Sequence, residues 1–307
     1  MLGIHSIAHY VPSSKIDNVV QAEKLGKGAE FITEKIGSTY LSIKHENEDT
    51  SDLAVKAVQS LLEKNRLSID EIECICLCTQ NPDNEGLPHT SAIVQSKLGS
   101  PKNCAAFDIS LGCSGYVYGL AAITGFMEKA RLKKGVLITV DPYSKIVDTE
   151  DPNTSLLFGD AATATLISEE YVFSLGRSLF CTDGARGGAL EKKSAKLTMN
   201  GRQVFNFAAT EVPKQIVQLL DEEGIDKSGI DKFILHQGSK YIVETLTKRL
   251  GLPAEKVPIK METTGNTVSS SIPLILEDVL DYAEDKVVLI SGFGVGLSWA
   301  SMILHRL

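Results

Sequence analysis

Ile69-Asp70-Glu71-Ile72-Glu73-Cys74-Ile75-Cys76-Leu77-Cys78-Thr79-Gln80 has a counterpart in Ser228-Gly229-Ile230-Asp231-Lys232-Phe233-Ile234-Leu235-His236-Gln237. In each, a polar turn feeds an apolar run of strand length that stops at a polar residue followed by glutamine. A second pair repeats the relation. Leu157-Phe158-Gly159-Asp160-Ala161-Ala162 opens the last strand of one half, and Gly292-Phe293-Gly294-Val295-Gly296 opens the last strand of the other. Such self-similarity points to an internal duplication. The expectation is two α/β halves, residues 1–168 and 169–307, packed as one unit with matching loop ends at a shared centre.

Working outward, apolar periodicity predicts helices over 50–65, 90–98, 114–130, 210–223, 239–250 and 270–283. Strands are predicted over 72–79, 103–110, 135–141, 155–167, 231–236, 286–292 and 297–304, with an irregular stretch at 182–196. Alternating elements of this kind form α/β layers, here with a largely parallel sheet expected in each half. Cys74, Cys76 and Cys78 have the spacing of a strand face, roughly 6.5 Å between successive thiols, too spread for one zinc ion. They read as small buried hydrophobes.

Composition excludes several classes. The 307 residues carry 31 Lys+Arg against 39 Asp+Glu, a net charge of −8, with 43% apolar residues. That balance describes a well-cored globular chain and lacks the basic footprint of a nucleic-acid or anionic-membrane binder. The start Met1-Leu2-Gly3-Ile4-His5-Ser6-Ile7 has neither the cationic end nor the apolar run of a signal peptide, and no uninterrupted apolar stretch is long enough to span a bilayer. A cytoplasmic location is expected. Six cysteines are too few for a disulfide scaffold, so a conspicuous one is open to chemistry.

Cys113 is the conspicuous one. Gly112-Cys113-Ser114-Gly115 joins the strand Cys104-Ala105-Ala106-Phe107-Asp108-Ile109 to an amphipathic helix. The positive end of that helix is expected to lower the thiol pKa; the alternative is a structural thiol in a glycine turn. His236, ending the run Phe233-Ile234-Leu235, is either a loop-facing imidazole or a satisfied structural one. Asn266, ahead of Ser269-Ser270-Ser271-Ile272-Pro273, suits a site or a cap equally. Gly292-Phe293-Gly294-Val295-Gly296 either offers N–H groups to an oxyanion or forms a turn, and it lacks the spacing of a dinucleotide loop.

Taken in order, Cys113, His236, Asn266 and the final glycine-rich junction resemble the β-ketoacyl-acyl-carrier-protein synthase III family of the thiolase superfamily. The resemblance runs nearly end to end through Asp108-Ile109-Ser110-Leu111-Gly112-Cys113-Ser114-Gly115, Leu156-Leu157-Phe158-Gly159-Asp160-Ala161-Ala162, Met199-Asn200-Gly201-Arg202-Gln203-Val204-Phe205, Leu235-His236-Gln237, Gly265-Asn266-Thr267 and Gly292-Phe293-Gly294-Val295-Gly296-Leu297-Ser298-Trp299. It implies a five-layer α-β-α-β-α thiolase fold, a homodimer, and a decarboxylating Claisen condensation on acyl-coenzyme A or acyl-carrier-protein thioesters, with no metal or redox cofactor. Cys113 would carry the acyl group, His236 and Asn266 would hold the malonyl thioester carbonyl, and the N–H groups of Cys113 and Val295 would form the oxyanion hole. Phe205 and Leu87 would bound the acyl channel, Leu87 from the partner subunit.

The departures bear on substrate. Phe31 and Lys35 replace the usual nucleotide-clasping Trp and Arg, and a second nucleotide-contacting Arg falls at Pro152. Carrier-docking basic positions align with Thr39, Asn206 and Tyr241, with Lys240 and Lys214 nearby. Ser239 stands where the family has a pantetheine-contacting Asn, and Val295 stands for a glycine. A specialised acyl donor is the expectation. The competing readings are acyl transfer to an alcohol, amine or thiol without condensation, a papain-like hydrolase, and a silent partner subunit. The flanking residues oppose the second, and the complete set of Cys113, His236 and Asn266 opposes the third.

Overall fold

The computed structural model describes residues 1–307. Its first half runs β1 (Gly3–Tyr10), β2 (Lys15–Asp17), α1 (Asn18–Lys24), β3 (Tyr40–Ser42), α2 (Thr50–Asn65), β4 (Cys74–Cys78), α3 (Thr90–Leu98), β5 (Ala105–Ile109), α4 (Gly115–Ala130), β6 (Lys134–Val140) and β7 (Ala162–Ser168). The second runs β8 (Phe173–Thr182), β9 (Leu190–Lys193), β10 (Lys196–Met199), α5 (Gly201–Glu223), β11 (Lys232–Leu235), α6 (Lys240–Leu250), α7 (Ser271–Leu280), β12 (Val287–Gly294) and β13 (Ser298–Arg306). Local chemistry sets several boundaries. Asp49 and Asp52 form a reciprocal capping box at the start of α2, and Gly99, Gly224 and Gly251 close α3, α5 and α6 in the left-handed conformation.

Nine strands form one sheet in the order β11-β12-β13-β8-β1-β7-β6-β4-β5. The pairs β4/β5, β4/β6 and β11/β12 are parallel, whereas β6/β7, β7/β1, β1/β8, β8/β13 and β13/β12 are antiparallel. The sheet is therefore mixed, not largely parallel. Antiparallel returns need only short links, as between β12 and β13, where a parallel pair would need a crossover. β1 and β8 were absent from the periodicity reading, yet they join the two strand groups through Gly3–Ser174 and Ile4–Phe173. Residues 155–161, expected as strand, are turn and loop apart from a single bridge between Phe158 and Asn266, and α5, expected from 210, begins at Gly201, where the Asn200 side chain caps it by accepting Gln203 N–H.

Three apolar cores define five layers. The central one sandwiches Val117, Leu120 and Ile123 of α4 and Ile272 and Ile275 of α7 between Leu137 and Ile167 on one side and Ile290 and Met302 on the other. Outside, Leu53, Ala57 and Leu61 of α2 and Val94 of α3 cover Ile75, Leu77 and Ile138. On the opposite face Ile216 and Leu219 of α5 and Leu246 of α6 cover Phe233, Leu235 and Ile303. This α-β-α-β-α stack is the thiolase fold. It puts α4 and α7 at the centre, starting side by side where the strand ends converge.

The duplication extends to single hydrogen bonds. Ile72 N–H reaches Ile69 O at 3.1 Å and Ile230 N–H reaches Lys227 O at 3.2 Å; Glu73 N–H reaches Lys134 O at 2.9 Å and Asp231 N–H reaches Val287 O at 2.8 Å. Counting on from Glu73 and Asp231, Cys78 occupies the place of His236, one residue from the sequence pairing of Thr79 with His236. The C-terminal half has no strand corresponding to β5, so the duplicated sheet has nine strands.

Candidate active site

Cys113 lies just before α4, whose N-cap is Ser114, and the turn is held by Gly115 N–H on Gly112 O at 2.7 Å. Close approach explains its glycines. A Cβ on Gly115 would sit 2.2 Å from Cys78 Sγ, one on Gly292 would sit 2.6 Å from Cys113 O, and one on Gly294 would sit 2.7 Å from Cys113 Sγ. The β12–β13 hairpin is thereby pressed onto the cysteine. The thiol meets the backbone N–H groups of Val295 and of Cys113 itself.

Cys113 is only 3% exposed. Burial first, then the nearby Asp141 carboxylate, push its thiol up to about 12, against a downward pull from the Val295 and Cys113 N–H groups. This corrects the expectation of a lowered pKa. A helix end contributes a fraction of a charge, which here loses to desolvation, so the resting group is a thiol.

His236 follows β11, its N–H on Ser291 O at 2.8 Å and its Nδ1 2.8 Å from Ser271 Oγ. Burial holds the imidazole neutral, its pKa lowered to about 3. Asn266 accepts Val268 N–H on Oδ1 at 2.9 Å, which fixes the amide orientation, and its Nδ2 lies 3.5 Å from Gly238 O. That leaves Nδ2 as a donor with a weak partner, free to serve a better acceptor.

Cys113, His236 and Asn266 line one cavity of about 440 Å³, together with Phe31, Lys35, Phe205, Ser239, Pro152, Asn153 and Gly294. Its remaining wall is mostly apolar, including Ile36, Leu157, Phe158, Leu190, Met199, Val204, Ile242 and Phe293. Toward Phe205, Lys35 Nζ lies 3.8 Å over the Tyr241 ring, which stacks on Phe205 with centroids 5.3 Å apart. Ser239 caps α6 by accepting Ile242 N–H at 3.3 Å. Leu87 is 86% exposed and does not line this cavity. A wider cleft of about 670 Å³, bounded by His9, Thr33, Lys240, Lys260 and Met261, contains none of Cys113, His236 and Asn266.

Periodicity missed Ser271, Val268, Gln80, Asp141 and Tyr143. Asp141 is buried at the end of β6; its Oδ1 accepts Gln80 N–H at 3.2 Å and Asn81 Nδ2 at 2.8 Å, and its Oδ2 has no partner. Burial outweighs those bonds and raises its pKa to about 7. Tyr143 Oη donates to Gln80 Oε1 at 3.1 Å, the oxygen that would also stop a Cβ on Gly112 at 2.6 Å. A carboxylate ending the apolar run Gly135-Val136-Leu137-Ile138-Thr139-Val140 was the available signal.

A buried thiol at a helix start, two N–H groups beside it, and a neutral imidazole and amide across an apolar cavity define a thiolase-fold acyltransferase. Residues 107–195 match the model of 3-oxoacyl-[acyl-carrier-protein (ACP)] synthase III, and residues 220–306 match that of its C terminal. The chain is 34% identical to beta-ketoacyl-[acyl-carrier-protein] synthase III of Streptococcus mutans, over 98% of each chain. Among solved structures, it resembles 3-oxoacyl-[acyl-carrier-protein] synthase III of Aquifex aeolicus (28% identity, TM-score 0.92, all of both chains) and 3-oxoacyl-(acyl-carrier protein) synthase of Burkholderia xenovorans (32%, TM-score 0.90, 99% of this chain and 94% of that one). The chain belongs to the 3-oxoacyl-[acyl-carrier-protein] synthase III family. No helix is long and apolar enough to cross a membrane.

Proposed function

We propose that the protein is a 3-oxoacyl-acyl-carrier-protein synthase III that condenses a specialised acyl donor with a malonyl thioester. The observation that carries this reading is the single cavity holding Cys113, His236 and Asn266 beside the Val295 N–H. Cys113 Sγ attacks the donor thioester carbonyl, its proton leaves with the departing thiol, and the acyl group stays on sulfur. The malonyl thioester then loses CO₂. His236 and Asn266 hydrogen-bond its thioester carbonyl as that oxygen becomes an enolate. The enolate carbon attacks the acyl-enzyme, the N–H groups of Cys113 and Val295 hold the oxyanion, and the Cys113 thiolate is expelled and takes up a proton.

Phe31, Lys35 and Ser239 line the cavity where a coenzyme A or carrier pantetheine arm would enter, and Phe205 and the partner subunit's Leu87 would limit acyl length. High exposure of Leu87 supports a role outside its own subunit. The chain would act as a cytoplasmic homodimer of two-half protomers, 1–168 and 169–307, with an acyl carrier protein and acyl-coenzyme A as partners and no cofactor.

Intact-mass spectrometry of wild type and Cys113→Ala, incubated with a panel of acyl donors and then malonyl carrier, tests the whole sequence. The expected result is an adduct on wild type alone, discharged as β-ketoacyl product. An adduct that malonyl thioester never discharges would replace condensation by acyl transfer to another acceptor. Ordinary affinity for acetyl-coenzyme A would remove the specialised donor.

A further inference from the structure

Ser271 starts α7 behind His236, and its Oγ has three neighbours: His236 Nδ1 at 2.8 Å, Val268 O at 3.0 Å and Gln237 N at 3.4 Å. A hydroxyl has one proton to give and two lone pairs. Gln237 N–H can only donate to it, so the proton goes either to the ring nitrogen or to the Val268 carbonyl. That carbonyl already accepts the backbone N–H of Ser271. The ring nitrogen is the nearer of the two, and the Val268 carbonyl, which also lies close enough to the imidazole to pull its pKa up against burial, is the competing partner over which the hydroxyl must prevail.

Val268 shapes both arms of the site. It is a β-branched residue held at φ 54°, a conformation that costs energy and persists only where the surroundings impose it. In that turn its N–H fixes Asn266 Oδ1 and its C=O faces Ser271. One short segment thus orients the amide and the imidazole together.

We propose that Ser271 is a positioning residue whose hydroxyl donates to Nδ1 and so holds His236 as the tautomer with its proton on Nε2, the donor required beside Asn266 Nδ2. The assignment rests on the condensing-enzyme reading, since an enolate oxygen accepts from both groups only if both carry protons. Without the hydroxyl, Nδ1 would keep the proton and give it to Val268 O, leaving a lone pair on Nε2 facing the developing negative charge. The same ring atom would then repel what it should stabilise.

The test combines ring ¹⁵N spectra of His236 with CO₂ release from malonyl thioester and intact-mass acylation of Cys113. In wild type the protonated nitrogen is expected to be Nε2, and in Ser271→Ala it is expected to be Nδ1. Ser271→Ala should lower CO₂ release by roughly 100-fold, the lower range for a positioned proton carrier, with a far smaller effect on Cys113 acylation; Ser271→Thr should restore it. Wild-type protein already protonated on Nδ1, or full CO₂ release from Ser271→Ala, would overturn the assignment. Because the spectra need no turnover, an Nε2-protonated ring in a protein that never condenses would defeat the reading of the reaction and leave the assignment standing.

Discussion

The two halves share a scaffold and differ at the strand ends. In the first, β6 and β7 are joined by the long excursion 141–161, which supplies Pro152, Asn153, Leu157 and Phe158 to the cavity wall. In the second, β12 and β13 are joined by the tight turn 295–297, which supplies an N–H to the thiol. Cys78 is walled in beneath Gly115, while the matching His236 lines the cavity. Duplication fixed where loops converge, and divergence gave the first half Cys113 and the 141–161 wall and the second half His236, Asn266 and the Val295 turn. Core periodicity therefore carries little information about the site, which lies in residues beyond each strand.

The sharpest break is Gly294→Ala. Its Cβ would lie 2.7 Å from Cys113 Sγ and 2.9 Å from Cys113 Cβ, so either the hairpin or Cys113 must move. Acylation by the best donor should fall by on the order of 10³, a loss comparable to removing an oxyanion donor and misplacing the nucleophile together. Stopped-time intact-mass measurements check it, and unchanged acylation would mean that the hairpin does not fix Cys113. Next is His236→Cys, which gives the second half the residue of the first. Cys113 should still accept an acyl group, whereas CO₂ release should fall about 10²- to 10³-fold, because a thiol replaces a ring donor at the enolate. Equal loss of both steps would show that the two halves do not divide the chemistry.

Much of this division was legible. Apolar periodicity places helices 50–65 and 90–98 at the bounds of α2 and α3, and the Asp49 capping box and left-handed Gly99 are the local chemistry that fixes the start of one and the end of the other. The reading of Cys74, Cys76 and Cys78 as strand followed from short apolar length. β8 escaped because Ser174, Gly176, Arg177 and Ser178 interrupt its apolar pattern at the junction of the strand groups, where neighbouring strands rather than side-chain burial fix it. Cys113, His236 and Asn266 stood out through motif order, but Ser271 and Val268 did not. Their importance lies in one hydroxyl direction and one positive φ, neither of which residue type alone specifies.

Asp141 and His236 set opposite pH trends, one from each half. The Asp141 carboxyl, raised to about 7 by burial, makes the folded state bind more protons than the unfolded chain between the ordinary carboxylate range and pH 7, so stability falls as pH rises through that window. His236, lowered to about 3 by burial, makes the unfolded chain bind more protons from about pH 3 to the ordinary imidazole value, so stability rises across that range. Asp141→Asn should remove only the first trend, and the variant should gain on wild type in urea midpoint between pH 5 and pH 8. His236 ring resonances should not titrate between pH 5 and pH 8. A variant whose offset from wild type stays flat from pH 5 to pH 8 would show that Asp141 is ionised throughout, its donors Thr79 Oγ1, Gln80 N–H and Asn81 Nδ2 outweighing burial.

The finest comparison concerns the carboxylates that start the two matching strands. Glu73 Oε2 accepts the N–H groups of Lys133 at 2.6 Å and Lys134 at 3.1 Å; Asp231 Oδ2 accepts those of Lys286 at 2.7 Å and Val287 at 2.9 Å. Each carboxylate ties the chain before a parallel strand, the inner β4 or the edge strand β11, to the first N–H groups of its neighbour. Alanine at either position frees two backbone donors near the sheet end, where water can replace the lost acceptor in part, so each should cost about 1–2 kcal/mol. The sites lie in different strand groups and share no partner, so the double variant should show additive loss in denaturant unfolding. Equal and additive costs would mean that the duplication preserved these joints as independent units. A clearly larger cost at Asp231 would instead show that the half lacking a β5 counterpart relies more heavily on its remaining parallel pair.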